Sequence, residues 1–146
     1  MVRKWQEGDL NRVAEIWLDT NRKAHNFISP QYWNDHFETV KEMFLQAEIY
    51  VYEEEEEHQI EGFIGMDADY VAGIFVLEEA QGRGLGKALL DFIKERRRQI
   101  YLNVYQKNMR AVKFYQREGF HIQAESVDEN TGEKEYQMIW TQEAGR

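Results

Sequence analysis

"FVLEEAQGRGLGKALLDFI", residues Phe75 to Ile93, places an apolar run and a helical pattern on either side of the loop "QGRGLGK". Gly82, Gly84 and Gly86 crowd that loop together with Arg83 and Lys87. Glycine inside regular structure costs about 0.5–1 kcal/mol relative to alanine, so such a cluster marks a backbone that must admit a close neighbour. After the loop, Leu85, Ala88, Leu89, Phe92 and Ile93 share one helical face. Before it, "DYVAGIFVL" is apolar without alternation, as expected of a strand covered on both faces. Strand, glycine turn and helix N-terminus together form an anion site. Free N–H groups point out of the turn, and the helix dipole adds roughly half a positive charge.

Working outward, "VRKW" reads as a first short strand, and Asp9 as the N-cap of a helix with Leu10, Val13, Ala14, Trp17 and Leu18 on one face. Ser29 and Pro30, the only proline, open a second helix with an apolar stripe of Trp33, Phe37, Val40 and Phe44. "EIYVYEEE" and "IEGFIGMD" form two strands around a solvated acidic turn at Glu53–Glu57. The basic run Arg96–Arg98 closes the helix after the glycine loop, where cations face the negative end of its dipole. "IYLNVY" is the next strand and "NMRAVKFYQRE" a short helix ended by Gly119. "FHIQAES" and "EYQMIWT" close the chain as strands. The order β-α-α-β-β-β-α-β-α-β-β is that of an α/β protein with a mixed sheet and helices packed on its faces.

At 146 residues the chain is expected to form a single domain, residues 1–146. With no cysteine, thiolate nucleophiles and cysteine-bound zinc are excluded, and no His/Asp/Glu spacing suggests a metal site. A net charge of -9, from 27 acidic against 18 basic residues, argues against a nucleic-acid partner and is compatible with a cationic substrate. No apolar run is long enough for a membrane span and no leader is visible, so a soluble, cytoplasmic protein is expected.

The glycine loop fails two nucleotide-binding patterns. A P-loop requires G-x-x-x-x-G-K-S/T, but here the spacing is one residue short and Ala88 replaces the metal-binding hydroxyl. A dinucleotide fingerprint requires G-x-G-x-x-G directly after the first strand; the spacing is again one short and the position late. What fits is Q/R-x-x-G-x-G/A, written as Gln81, Gly84 and Gly86. It resembles the acetyl-CoA-binding loop of the GNAT superfamily of N-acetyltransferases. Downstream, Asn108, Ala111, Phe114, Tyr115, Gly119 and Phe120 are similar to that family's second motif, N-x-x-A-x-x-F-Y-x-x-x-G-F. "AHNFISPQYW" and "NVYQKN" resemble small bacterial members. The resemblance covers nearly the whole chain and implies the GNAT fold, a mostly antiparallel central sheet with helices on both faces.

The same resemblance implies acetyl-CoA as donor and an amine as acceptor, the amine attacking the thioester directly without a covalent enzyme intermediate. It places the amides of Gly82, Arg83, Gly84, Leu85, Gly86 and Lys87 around the cofactor's pyrophosphate, with Gln81 in the motif. Arg83 and Lys87 either add charge there or are merely solvated. Ile74, Phe75 and Val76 would pair with the pantetheine arm, and a backbone N–H near Val76 would polarise the thioester carbonyl. Asn108 would contact the cofactor, cap the following helix, or do both. Tyr115 is the candidate general acid: a phenol of pKa near 10 stays protonated at neutral pH and can donate to a departing thiolate. Its competing role is as a core tyrosine beside Ala111 and Phe114.

The general base is not visible in the sequence, because Tyr70 to Leu77 holds no carboxylate. His25 titrates in the useful range and is a candidate acceptor-site or base residue, against a structural role. Phe27, Trp33 and Tyr70 are candidates for lining the acceptor pocket, each with a competing place in the core. Glu125, Asp128, Glu129, Glu133 and Glu135 either attract a cationic acceptor or form a solvated loop. The expected acceptor is a protein lysine, with a small-molecule amine as the alternative. A non-catalytic acyl-CoA sensor of the same fold is the reading from another class. Monomer and homodimer are equally compatible with the sequence.

Overall fold

A computed structural model describes residues 1–142. Its elements follow the expected order: β1 (Val2–Lys4), α1 (Leu10–Ala24), α2 (Pro30–Phe44), β2 (Glu48–Glu53), β3 (Ile60–Asp67), β4 (Tyr70–Val76), α3 (Leu85–Lys94), β5 (Gln99–Tyr105), α4 (Met109–Arg117), β6 (His121–Val127) and β7 (Lys134–Thr141). The strands form one sheet in the order β1-β2-β3-β4-β5-β7-β6. Every pairing is antiparallel except β4 with β5.

That one parallel pairing is short. β4 meets β5 only at Tyr70–Tyr101 and Val71–Leu102, whereas its other edge stays paired with β3 as far as Val76. Ala72 is an extra residue between the Gly65–Gly73 and Met66–Val71 pairs, a bulge that bends the strand. Beyond it β4 and β5 diverge and leave a wedge. The expectation that β4 is covered on both faces is therefore corrected. Val71 is buried, but Ala72 is exposed and Gly73 to Val76 are only half-buried, because their apolar side lines the wedge.

Helices cover both faces of the sheet. On one, Leu89, Leu90 and Ile93 of α3 and Val112 and Tyr115 of α4 pack on Ile64, Leu102 and Met138. On the other, Val13, Ile16 and Trp17 of α1 and Trp33 of α2 pack on Ile49, Val51 and Phe63. Full burial of such a side chain stabilises by about 1.5–3 kcal/mol. The buried face of α1 is rotated from the expected one: Ile16, Thr20 and Asn21 join Val13, Ala14 and Trp17, while Leu10 and Leu18 stay half-buried. Among the described residues no helix is long and apolar enough to cross a membrane.

Ser29 accepts a hydrogen bond from the Gln31 amide at 3.2 Å, with Pro30 in the first turn of α2, as the sequence predicts. Asp9 does something other than cap α1. It ends a 3₁₀ turn, accepts from the Gln6 amide at 2.9 Å and pairs with Arg3 at 3.0 Å, so its carboxylate is already engaged. Arg96 donates to the Phe92 carbonyl at 2.8 Å at the end of α3. Arg97 instead reaches Glu48 at 2.8 Å and the Ala68 carbonyl at 3.2 Å, fastening the end of α3 to β2 and the β3–β4 turn.

Gly62 is required by packing: a Cβ there would lie 2.8 Å from the Phe75 carbonyl oxygen and 3.2 Å from Val76 Cγ2. Gly65, three residues along β3, has nothing within 4 Å of the same position. Gly62→Ala is expected to cost about 1–3 kcal/mol in urea unfolding with an unchanged m-value, by forcing β4 from β3. Gly65→Ala should stay within about 1 kcal/mol of the parent, and equal effects at the two sites would contradict this account.

Candidate active site

The wedge opens into a cleft of about 860 Å³ bounded by β4, the glycine loop, the first turn of α3, the length of α4, β5 and the end of α1. Its floor is the free side of β4. Ile74, Phe75 and Val76 line it, and their backbone has no strand partner on the β5 side.

At the end of β4 the chain turns through a 3₁₀ segment, Glu78–Ala80, into the glycine loop. Gly82 and Gly84 both have φ of 82°, a left-handed conformation that glycine alone adopts without strain. Nothing lies within 4 Å of where a Cβ would sit at either, so the space above the loop is open. Gly84 precedes α3 and gives it no side-chain cap. The first helical amides therefore keep free N–H groups, and Leu85, Gly86 and Lys87 line the cleft together with Gln81, Gly82 and Gly84. Gln81 Nε2 donates to the Val76 carbonyl at 2.9 Å and ties the loop to the strand end. An open, donor-rich cradle of this kind fits a pyrophosphate group.

Arg83 lies apart from the lining. Its guanidinium is held by Glu61 of β3 at 2.8 Å, so of the two loop cations only Lys87 faces the cleft. Arg110 and Arg117 of α4 also line it, and neither forms an ion pair among the described residues. They were not singled out in the sequence, although they stand seven residues apart, the spacing of one helix face.

α4 brings Tyr115 to the cleft from the face of the sheet that it shares with α3. The ring is buried between Phe114 and Phe120, at centroid distances of 5.3 and 5.6 Å. Burial first, then the neighbouring Tyr70 hydroxyl, push the Tyr115 phenol well above its ordinary range. Tyr115 thus holds its proton at any physiological pH. Asn108 caps α4 by accepting from the Ala111 amide at 3.2 Å, and it also lines the cleft.

The far end of the cleft is aromatic and acidic. Tyr70 lies against Tyr101 at a centroid distance of 5.4 Å with the rings tilted, and burial, then Glu135, raise its pKa. His25 and Trp33 line this end; Phe27 does not, and packs behind it against His25 and Tyr105. Burial lowers the His25 pKa to about 4, which leaves the ring neutral at pH 7 and a poor proton acceptor.

Glu135 on β7 is the carboxylate that the sequence left within a loop cluster. Tyr136, Met138 and Trp140 pack into the α3–α4 core, so β-strand alternation turns Glu135 to the face of the cleft. That apolar alternation in "KEYQMIWT" was the available signal. Glu78 and Glu118, the other lining carboxylates, are paired with Lys23 and with Lys87 and Lys94. Glu135 forms no ion pair among the described residues, and burial, then Asp128, raise its pKa. Asp128 itself accepts from the Tyr105 hydroxyl at 2.6 Å.

Residues 46–122 match the acetyltransferase (GNAT) domain family. The chain is 38% identical over 124 residues to the peptidyl-lysine N-acetyltransferase YiaC of Escherichia coli (strain K12), covering 84% of each protein. It is 22% identical over 138 residues to the peptidyl-lysine N-acetyltransferase YjaB of the same organism, covering 94% of this chain and 92% of YjaB. The fold matches the solution structure of apo-form E. coli YjaB with a TM-score of 0.85, covering 96% of each chain. A variant of the spermidine N-acetyltransferase SpeG from Vibrio cholerae matches with a TM-score of 0.72 at 21% identity, covering 97% of this chain and 94% of that one. The wedge, the glycine loop and Tyr115 thus belong to a chain that is a member of the GNAT family, an N-acetyltransferase.

Proposed function

We propose that this N-acetyltransferase carries the acetyl group of acetyl-CoA to the side-chain amine of a peptidyl lysine. The observation that carries the reading is the wedge itself. One continuous cleft joins a phosphate-sized cradle, a buried protonated phenol and an unpaired carboxylate. The 38% identity to a protein named as a peptidyl-lysine acetyltransferase favours that acceptor over other amines.

In this reading the amides of Gly82 to Lys87, with the charges of Lys87, Arg110 and Arg117, hold the pyrophosphate end. The unpaired edge of Ile74, Phe75 and Val76 receives the extended arm as an added strand would be received. Bound acetyl-CoA supplies a thioester carbonyl open to attack by an amine. Tyr115 keeps its proton at Oη and gives it up to the departing sulfur, a transfer that its burial and high pKa make unavailable to bulk water. Glu135 attracts the acceptor's ammonium and takes a proton from it, since its carboxylate is turned to the cleft and engages no cation. Tyr70, Trp33 and Tyr105 shape the apolar walls along which a lysine's methylenes would lie.

Thiol release from acetyl-CoA against lysine peptides, N-terminal peptides and polyamines tests the activity and the acceptor together. Tyr115→Phe is expected to lower kcat by about 10²-fold or more while CoA still binds. Wild-type turnover in that variant would remove Tyr115 from the mechanism. Glu135→Gln is expected to raise KM for a lysine peptide by about tenfold and to lower kcat by about 10²-fold or more, with KM for acetyl-CoA within about twofold of the parent. A polyamine turned over in preference to every peptide would move the acceptor to the small-molecule class.

A further inference from the structure

His25 lies between α1 and α2, enclosed by Tyr105 at a centroid distance of 5.0 Å and by Phe27 and Trp33 at 5.7 Å. Both ring nitrogens have partners from different parts of the chain. Nδ1 is 3.1 Å from Asn21 Oδ1, one turn back on α1, and Nε2 is 3.3 Å from Asn108 Nδ2 at the start of α4.

The far end of each amide fixes the direction of these bonds. Asn21 Nδ2 donates to the Trp17 carbonyl at 2.8 Å, which leaves Oδ1 as the acceptor facing His25. Asn108 Oδ1 accepts from the Ala111 amide at 3.2 Å, which leaves Nδ2 as the donor facing His25. The imidazole must therefore carry its hydrogen on Nδ1 and its lone pair on Nε2. An imidazolium would set one N–H against another at Asn108. The titratable groups around the ring do not favour that charge. Tyr105 is committed to Asp128, and Lys107 sits over the Phe27 ring at 5.5 Å.

We propose that His25 is a positioning residue: in its neutral Nδ1–H form it ties the last turn of α1 to Asn108 and fixes the Asn108 amide for the cofactor. Once these bonds are made, Asn108 has one amide hydrogen left, and it lines the cleft beside Arg110 and Ala111. The same bond joins the acceptor side of the cleft to the N-terminus of the helix that carries Tyr115. His25 acts on binding through Asn108 and is not the general base. The binding consequence rests on the acetyl-CoA reading of the cleft, whereas the tautomer is a property of the free protein.

Long-range ¹⁵N–¹H NMR of the full chain labelled at histidine reads the tautomer directly, with His36, His58 and His121 as internal comparisons. The expected result is a protonated Nδ1 and a bare Nε2 at His25, unchanged between about pH 5 and about pH 8. An Nε2–H form, or a midpoint inside that window, overturns the proposal. In calorimetry with CoA, His25→Ala should weaken binding about fivefold or more. His25→Gln, whose amide oxygen can accept from Asn108, should recover it to within about twofold. Alanine binding like the parent, or glutamine no better than alanine in a folded protein, also overturns it. Failure of the parent to bind CoA would instead sink the reading of the cleft, with the tautomer still decided by NMR.

Discussion

Strands β4 and β5 run parallel and share hydrogen bonds at only two register positions, Tyr70–Tyr101 and Val71–Leu102. A parallel pair needs a crossover, supplied here by the glycine loop and α3, and the crossover leaves from the end of β4 that has already swung away. Buried backbone groups are almost always paired, so a strand edge inside a protein that lacks its neighbour must face water or a ligand. The bulge at Ala72 puts Ile74 to Val76 in that position while β3 still holds the opposite edge. Everything chemical is arranged along the resulting gap. The glycine loop lies where β4 ends, the Tyr115 phenol enters from one face of the sheet, and the Glu135 carboxylate stands on the other.

The charge of the whole protein hides the polarity of this gap. A chain of net charge -9 nevertheless presents Lys87, Arg110 and Arg117 at the glycine-loop end and Glu135 near Asp128 at the other. Burial is the first cause of the raised pKa at both Tyr115 and Glu135, yet the consequences differ. For a phenol that is protonated anyway, a higher pKa leaves the protonation state at neutral pH unchanged. For a carboxylate it narrows the difference from an ammonium, which is what the proposed role of Glu135 requires.

How legible was this in the sequence? Local chemistry was: Ser29 and Pro30 open α2, Gly119 ends α4 with φ of 94°, and the order of elements follows from periodicity and turn residues. The glycine loop was legible because positive φ leaves a compositional mark. What could not be read was pairing over distance. An apolar run without alternation signals burial on both sides, but in β4 one side lines an open cleft. Thr20 and Asn21 look like solvent-facing residues of α1, and they are buried because their side chains bond to the carbonyls of Ile16 and Trp17. Asp9 looks like a helix cap, yet Arg3 and the Gln6 amide reach it first. Each miss is a case of tertiary geometry overriding a local preference.

Gly86 shows how closely cradle and acid are coupled. It carries no positive φ, so the backbone argument that explains Gly82 and Gly84 does not explain it. The reason is the neighbouring helix: a Cβ at Gly86 would stand 3.1 Å from the edge of the Phe114 ring. Phe114 precedes Tyr115 and packs on it at 5.3 Å. A larger residue at Gly86 would therefore press on α4 as well as on the amides beside it. The small residue in the loop and the phenylalanine before the tyrosine, far apart in sequence, are two sides of one contact. That contact sets how far the glycine loop stands from Tyr115.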